Sequence, residues 1–172
     1  MKILIISDTH GHLSNLPPVL KGVGPLAHLI HCGDVEGQAK EIASMADCPC
    51  TFVRGNNDFF GTLPSEETLS FGQYRILVTH GHRLGVSWSN RELVLEARKK
   101  GCNVAMYGHT HIPYIDVGSY EEGLTLLNPG SLSFPRHDRR QPTFATMEID
   151  SRGRALYTIG YVRKNGKLGV LY

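Results

Sequence analysis

The chain opens on four consecutive apolar residues, Ile3-Leu4-Ile5-Ile6, which stop abruptly at Ser7-Asp8, and the same arrangement recurs along the first two thirds. Short apolar, β-branched runs with polar or glycine corners predict strands over residues 3–6, 28–32, 51–54 and 75–79. Helical spacing predicts helices over 13–22, 37–46 and 90–100. In the last of these Leu93, Val94 and Ala97 share a face, Asn90 or Ser89 caps the start and Gly101 stops the end. This alternation is the pattern of an α/β fold. After a further strand at 104–107 the pattern changes, with short runs at 114–117, 124–127, 143–149 and 155–162 separated by Gly, Asp, Ser and Pro turns. The second half is therefore mostly β. The expected outcome is two facing sheets with helices outside and polar clusters at the strand ends, where α/β folds usually bind ligands.

Five such clusters stand out: Asp8-Thr9-His10, Gly33-Asp34, Gly55-Asn56-Asn57-Asp58, His80-Gly81-His82 and Gly108-His109-Thr110-His111. Seven of their residues, Asp8, His10, Asp34, Asn56, His80, His109 and His111, are metal-ligand types. Asp8 and His10 are two apart, as are His109 and His111, so a strand carried through them would direct each pair to one face. Nitrogen and oxygen ligands without thiolate argue against structural zinc and for ions that accept five or six ligands, such as Mn, Fe, Ni or catalytic Zn.

In their order, the motifs DTH, GD, GNND, HGH and GHTH resemble those of the calcineurin-like metallophosphoesterases, and the small bacterial and archaeal phosphodiesterase branch most closely. The resemblance runs from Met1 to about Arg136 and takes in Asn128-Pro129-Gly130-Ser131 and Pro135-Arg136. It implies a four-layer α/β/β/α sandwich of two mixed sheets flanked by helices. It also implies a dinuclear centre, with one ion on Asp8, His10, Asp34 and His111, the other on Asp34, Asn56, His80 and His109, and manganese the expected metal. Two ions about 3.5–4 Å apart would generate a bridging hydroxide that attacks a phosphodiester. Two cations of about +4, two carboxylates and a hydroxide leave the site about one unit positive, which suits a small phosphate ester. A phosphomonoesterase or protein phosphatase on the same site, or a non-catalytic interaction scaffold like the retromer subunit that resembles these enzymes, are the alternatives.

The chain departs from the wider family where most members carry a histidine after the ligand asparagine. Here that position is Asn57, which can donate a hydrogen bond but cannot supply a proton. The general acid, a contribution of about 10²–10⁴-fold, is then unassigned, with His82, His137 and His12 as the available groups. Asn57, Arg54, His82 and Arg136 are candidate substrate contacts; the competing reading of Arg54 is an ion pair with Asp58. His31 reads as a satisfied core histidine or one supporting a ligand, and His28 as a strand-edge residue.

Composition adds limits. At 172 residues the chain fits one domain, 1–172. A net charge of +2 gives no argument for nucleic-acid or membrane partners. No run approaches the roughly 18 apolar residues of a membrane span, and four apolar residues after Met1-Lys2 are too few for a signal peptide, so a cytoplasmic location is expected. Cys32, Cys48, Cys50 and Cys102 match no zinc spacing and read as reduced, mostly buried thiols. Phe59-Phe60 could serve a homodimer or larger homo-oligomer, and residues 136–140 form a local basic stretch.

Overall fold

The computed structural model describes residues 1–171. In chain order the elements are β1 (Lys2–Ile6), α1 (Leu16–Val23), β2 (His28–His31), α2 (Ala39–Ala46), β3 (Cys50–Phe52), β4 (Glu66–Phe71) and β5 (Tyr74–Thr79). There follow a 3-10 turn at His82–Leu84, α3 (Arg91–Lys99), β6 (Val104–Met106), β7 (Pro113–Val117), β8 (Thr125–Pro129), β9 (Thr143–Ile149), β10 (Ala155–Val162) and β11 (Leu168–Val170). They form a six-stranded sheet, β11-β10-β9-β1-β2-β3, and a five-stranded sheet, β4-β5-β6-β8-β7. Both are mixed. The first pairs β1 with β2 in parallel and with β9 antiparallel; the second pairs β5 with β6 and β6 with β8 in parallel and closes antiparallel at β4 and β7.

Strand alternation builds the layers. Ile3 and Ile5 point inward against Ile76, Val78, Val104 and Met106 of the other sheet. Leu4 and Ile6 point outward against Leu16, Val19 and Ile42 of α1 and α2. Leu77, Ala105 and Leu126 face Leu93, Val94 and Ala97 of α3. Each central strand is apolar on both faces because both faces are covered, and the result is the expected α/β/β/α sandwich. Full burial of a residue such as Ile5 contributes about 1.5–3 kcal/mol.

Three differences from the sequence reading have physical causes. Helix α1 begins at Leu16 rather than residue 13, with Pro17 and Pro18 in its first turn. Proline lacks the N–H that an interior position must donate, so a start at 13 would have left both in the helix body. Strand β4, with the sequence Glu-Glu-Thr-Leu-Ser-Phe, has no clear sequence signal because it is an edge strand rich in polar residues. Strand β11 is three residues long and centred on Gly169. At α3, the side chain of Asn90 makes no cap; the Ser89 hydroxyl accepts the Arg91 N–H at 3.1 Å instead. Cys32 and Cys102 are buried, whereas Cys48 and Cys50 are half-buried, and all four thiols are free. No helix among the described residues is long and apolar enough to cross a membrane.

Candidate metal centre

All five clusters lie just beyond the C-terminal ends of strands, β1, β2 and β3 in one sheet and β5 and β6 in the other. The loops are pinned to one another by their backbones. Asp8 donates its N–H to Gly33 and His10 to Asp34, both at 3.0 Å, and Gly108 donates to His80 at 3.2 Å.

The strand-face argument for the paired ligands does not describe how they are placed. Strand β1 ends at Ile6 and β6 at Met106, and Asp8, His10, Asp34, His109 and His111 all adopt left-handed backbone conformations, with φ between 47° and 70°. Such residues cost on the order of 1–3 kcal/mol each and persist only where surrounding bonds fix them. Here those bonds are the crossed backbone pairs, together with Ser131, whose hydroxyl donates to the Asp8 carbonyl at 2.8 Å. Gly33 is required outright: its φ is 103°, and a Cβ there would meet His80 Nδ1 at 2.6 Å.

Around the resulting point the polar atoms face one another as acceptors. His10 Nδ1 is hydrogen-bonded to the Glu36 carboxylate at 2.8 Å, His80 Nδ1 to the Cys32 carbonyl at 2.8 Å and His111 Nδ1 to the Phe134 carbonyl at 2.6 Å. Each of these acceptors demands a proton on Nδ1, so all three Nε2 atoms present lone pairs to the centre. His10 Nε2 and His111 Nε2 lie 3.2 Å apart, and His80 Nε2 lies 3.0 Å from Asn56 Oδ1. Asp8 Oδ1 stands 3.2 Å from His111 Nε2 and 3.9 Å from His10 Nε2; Asp34 Oδ2 stands 3.6 Å from His10 Nε2 and 3.5 Å from His80 Nε2. Asp8 Oδ1 is buried and makes no hydrogen bond. Converging lone pairs of this kind are tolerated only if cations sit among them. Two groups, Asp8-His10-His111 and Asp8-Asp34-His80, each have their ligand atoms within 4.8 Å of one another.

The electrostatics agree. Burial alone would push the Asp8 carboxyl up, yet the surrounding His111 and His80 hold it below its usual range. Burial likewise opposes ionisation of Asp34, but His80 and the two Asn57 donors hold it well below normal. Burial disfavours protonated His80, but Asp34 and Asp8 raise its pKa, a proton answering the same demand as a metal. His109 is lowered by burial and by His80 and so stays neutral.

His109 approaches the centre differently from the others. Its backbone N–H donates to Asp8 Oδ2 at 3.1 Å and its ring packs edge-on against His80, with centroids 5.2 Å apart.

Of the candidate substrate contacts, Asn57 is committed to Asp34, to which it donates from its backbone at 2.8 Å and its side-chain amide at 2.7 Å. Arg136 lines a cleft of about 740 Å³ together with His10 and His111. Arg54 lines a different cavity with Asp58 and Phe60, and no Arg54–Asp58 ion pair forms. Asp58 instead accepts three backbone N–H groups, from Asp34 at 2.9 Å, Glu36 at 2.6 Å and Gly55 at 2.8 Å. His82 packs against His80 and His109, and burial and those neighbours lower its pKa to about 4. His12 is exposed and stacks edge-on against Phe134; His137 donates to the Gln141 carbonyl. His31 bonds the Thr9 hydroxyl at 3.1 Å and accepts the Gly33 N–H, a buried support under the ligand loops. The roles of Glu36, Asp58 and the Phe134 carbonyl have no spacing signal that would have revealed them.

The model of the calcineurin-like phosphoesterase superfamily domain matches residues 1–152. The chain belongs to the calcineurin-like phosphoesterase superfamily. Members act with divalent metals, and the cluster just described supplies the corresponding donors. Among similar members, the probable metallophosphoesterase YsnB of Bacillus subtilis is 35% identical over 152 residues, which cover 88% of this chain and 86% of YsnB. The crystal structure of a conserved uncharacterized protein of Streptococcus pneumoniae, a predicted phosphoesterase, superposes with a TM-score of 0.77 at 25% identity, covering 99% and 96% of the two chains. Vps29 of Entamoeba histolytica, solved in complex with zinc, shares the superfamily fold with a TM-score of 0.80 at 21% identity, covering 99% and 97%. The chain is accordingly a metal-dependent phosphoesterase by family.

Proposed function

We propose that this protein hydrolyses phosphodiesters at a dinuclear centre, with one divalent ion held by Asp8, His10, Asp34 and His111 and the other by Asp34, Asn56, His80 and His109. The observation that carries the reading is the set of facing acceptors, His10 Nε2 on His111 Nε2 and His80 Nε2 on Asn56 Oδ1, beside the unpartnered Asp8 Oδ1. When bound, divalent ions at such a site lower the pKa of water to near neutrality and neutralise phosphate oxygens. The chain's own contribution is placement. Glu36, Cys32 and Phe134 fix three imidazole tautomers, Asp58 holds the Asp34 and Gly55 loops together, and Arg136 offers a cation to a phosphate entering the cleft.

The preference for diesters rests on the resemblance to the small phosphodiesterase branch and on Asn57, which stands where most members of the wider family carry a histidine. Asn57 cannot protonate a leaving oxygen, and its amide is already spent on Asp34. Leaving groups that depart as stable anions are favoured under that condition.

The test is hydrolysis of bis(p-nitrophenyl) phosphate beside p-nitrophenyl phosphate by chelator-treated protein, with and without Mn²⁺. Manganese-dependent turnover that favours the diester supports the reading; faster monoester turnover moves the assignment to a phosphomonoesterase. Silence with Mn, Fe, Ni and Zn alike would move it to a scaffold, the alternative for which the Vps29 fold likeness speaks.

A further inference from the structure

A basic depression of about 480 Å³ adjoins the metal-centre cleft. It is lined by Arg139, Arg140, Arg163 and Lys164 together with Ser14 and Asn15 of the loop before α1. Arg140 lines both spaces, standing between the basic depression on one side and His10 and His111 on the other. Among the described residues, none of Arg136, Arg139, Arg140, Arg163 and Lys164 takes part in a salt bridge. The nearby acids do not offset them. Glu36 is held by His10, and Asp138, exposed in the same loop, pairs with none of these cations.

The backbone supports a built site. Arg140 is in the left-handed region at φ 47°, a conformation that the structure otherwise gives, outside glycine, to five of the proposed ligands, to Glu36 beside them and to Asp47. Arg140 N–H donates to the His137 carbonyl and His137 donates to Gln141, which fixes the turn. On the other wall, Arg163 and Lys164 sit in the tight β10–β11 turn, closed by Arg163 N–H to Lys167 and Gly166 N–H to Arg163, both at 2.8 Å. Strain held in this way at a cation beside a reaction centre points to function. These exposed guanidinium groups make no ion pair, Arg163 lying over the Tyr161 ring at 5.7 Å from its centroid, and are suited to phosphate oxygens.

We propose that this depression is a second anion subsite, so that the preferred substrate is a phosphodiester carrying a further, terminal phosphate, as at the phosphorylated end of a short single-stranded oligonucleotide. The inference rests on the diester reading of the metal centre but is tested apart from it. The balanced net charge, which at the sequence level gave no argument for nucleic acid, conceals this local concentration of cations.

The experiment is calorimetric titration of chelator-treated protein, at low salt, with thymidine dinucleotide bearing or lacking a terminal phosphate, at the 5′ or the 3′ end. Wild type should bind one phosphorylated form about tenfold more tightly than the unphosphorylated one, the effect of charge-assisted bonds discounted for exposure. Arg139→Gln/Arg163→Gln should abolish the difference and flatten its salt dependence. Single Lys164→Gln, which leaves both arginines, should reduce it in part. Equal affinities in wild type, or a preference that survives in the double variant, would overturn the proposal. Turnover of bis(p-nitrophenyl) phosphate by Mn²⁺-loaded protein reports separately on the diester reading and should be unchanged within twofold in the double variant.

Discussion

Replacement of Asp58 by alanine removes no proposed ligand yet should damage both fold and centre. Its carboxylate, 8% exposed, accepts the backbone N–H groups of Asp34, Glu36 and Gly55 and so ties the loop after β2 to the loop after β3. Each hydrogen bond to a charged acceptor contributes about 1.5–3 kcal/mol. The three share one acceptor group and are not additive, and water can enter from the cavity that Asp58 lines with Arg54, returning part of the loss. Asp58→Ala should therefore cost about 3 kcal/mol, and Asp58→Asn, which turns one N–H donor toward another, about half as much. Urea unfolding of chelator-treated protein reads the difference as a lower midpoint at unchanged slope. Because Asp34 loses its anchor, Mn²⁺ affinity should also fall about tenfold or more, as expected when a residue supporting a ligand is removed. A loss below about 1 kcal/mol, or full destabilisation with unchanged Mn²⁺ affinity, would refute the view that Asp58 positions the centre.

Three further expectations can be checked separately. His31 is fully buried and its pKa is lowered to about 4 from 6.5, chiefly by burial, so the unfolded chain binds its proton first as pH falls. Stability of the chelator-treated protein should then be intact above pH 6.5 and lost progressively down to about pH 4, by about 3 kcal/mol from this residue; in His31→Gln that part of the pH slope should disappear, and an unchanged slope would exclude His31 as its source. Asn57→His restores a group able to protonate a leaving oxygen, so turnover of an alkyl phosphodiester relative to the p-nitrophenyl ester should rise at least tenfold; an unchanged ratio would mean that acid catalysis comes from elsewhere. Asp34→Asn should abolish the rise in thermal midpoint that saturating Mn²⁺ gives the wild type, a stabilisation of about 2.7 kcal/mol at one hundred times the dissociation constant. A rise of the same size in the variant would remove Asp34 from the ligand set.

Most of the layer structure was legible because periodicity in residues 3–6, 75–79 and 104–107 reports burial on both faces, and burial is decided by the whole sandwich. What stayed hidden was polar or conformational. Strand β4 carries the exposed Glu67 and the half-buried Glu66 at a sheet edge, and Pro17-Pro18 override the apparent helix start. The candidate ligands were visible as residue types, but their placement was not: left-handed turns at Asp8, His10, Asp34, His109 and His111 depend on bonds between loops far apart in sequence. The groups that fix the imidazoles include the carbonyls of Cys32 and Phe134, which any residue could supply and no sequence pattern can announce.

Asp8, His10, Asp34 and Asn56 leave one sheet, while His80, His109 and His111 leave the other, and contacts such as His10 with His111 span 101 positions of chain. No half of the centre can organise itself before the two sheets have docked. Closing such long loops is a late and slow event in folding. Metal added to the unfolded chain should therefore do little to hasten folding, whereas metal in the native protein must be released, or its ligands parted, before the sheets separate, and so should lengthen the native lifetime. The ions would act as a latch on the finished molecule rather than as a seed for its formation.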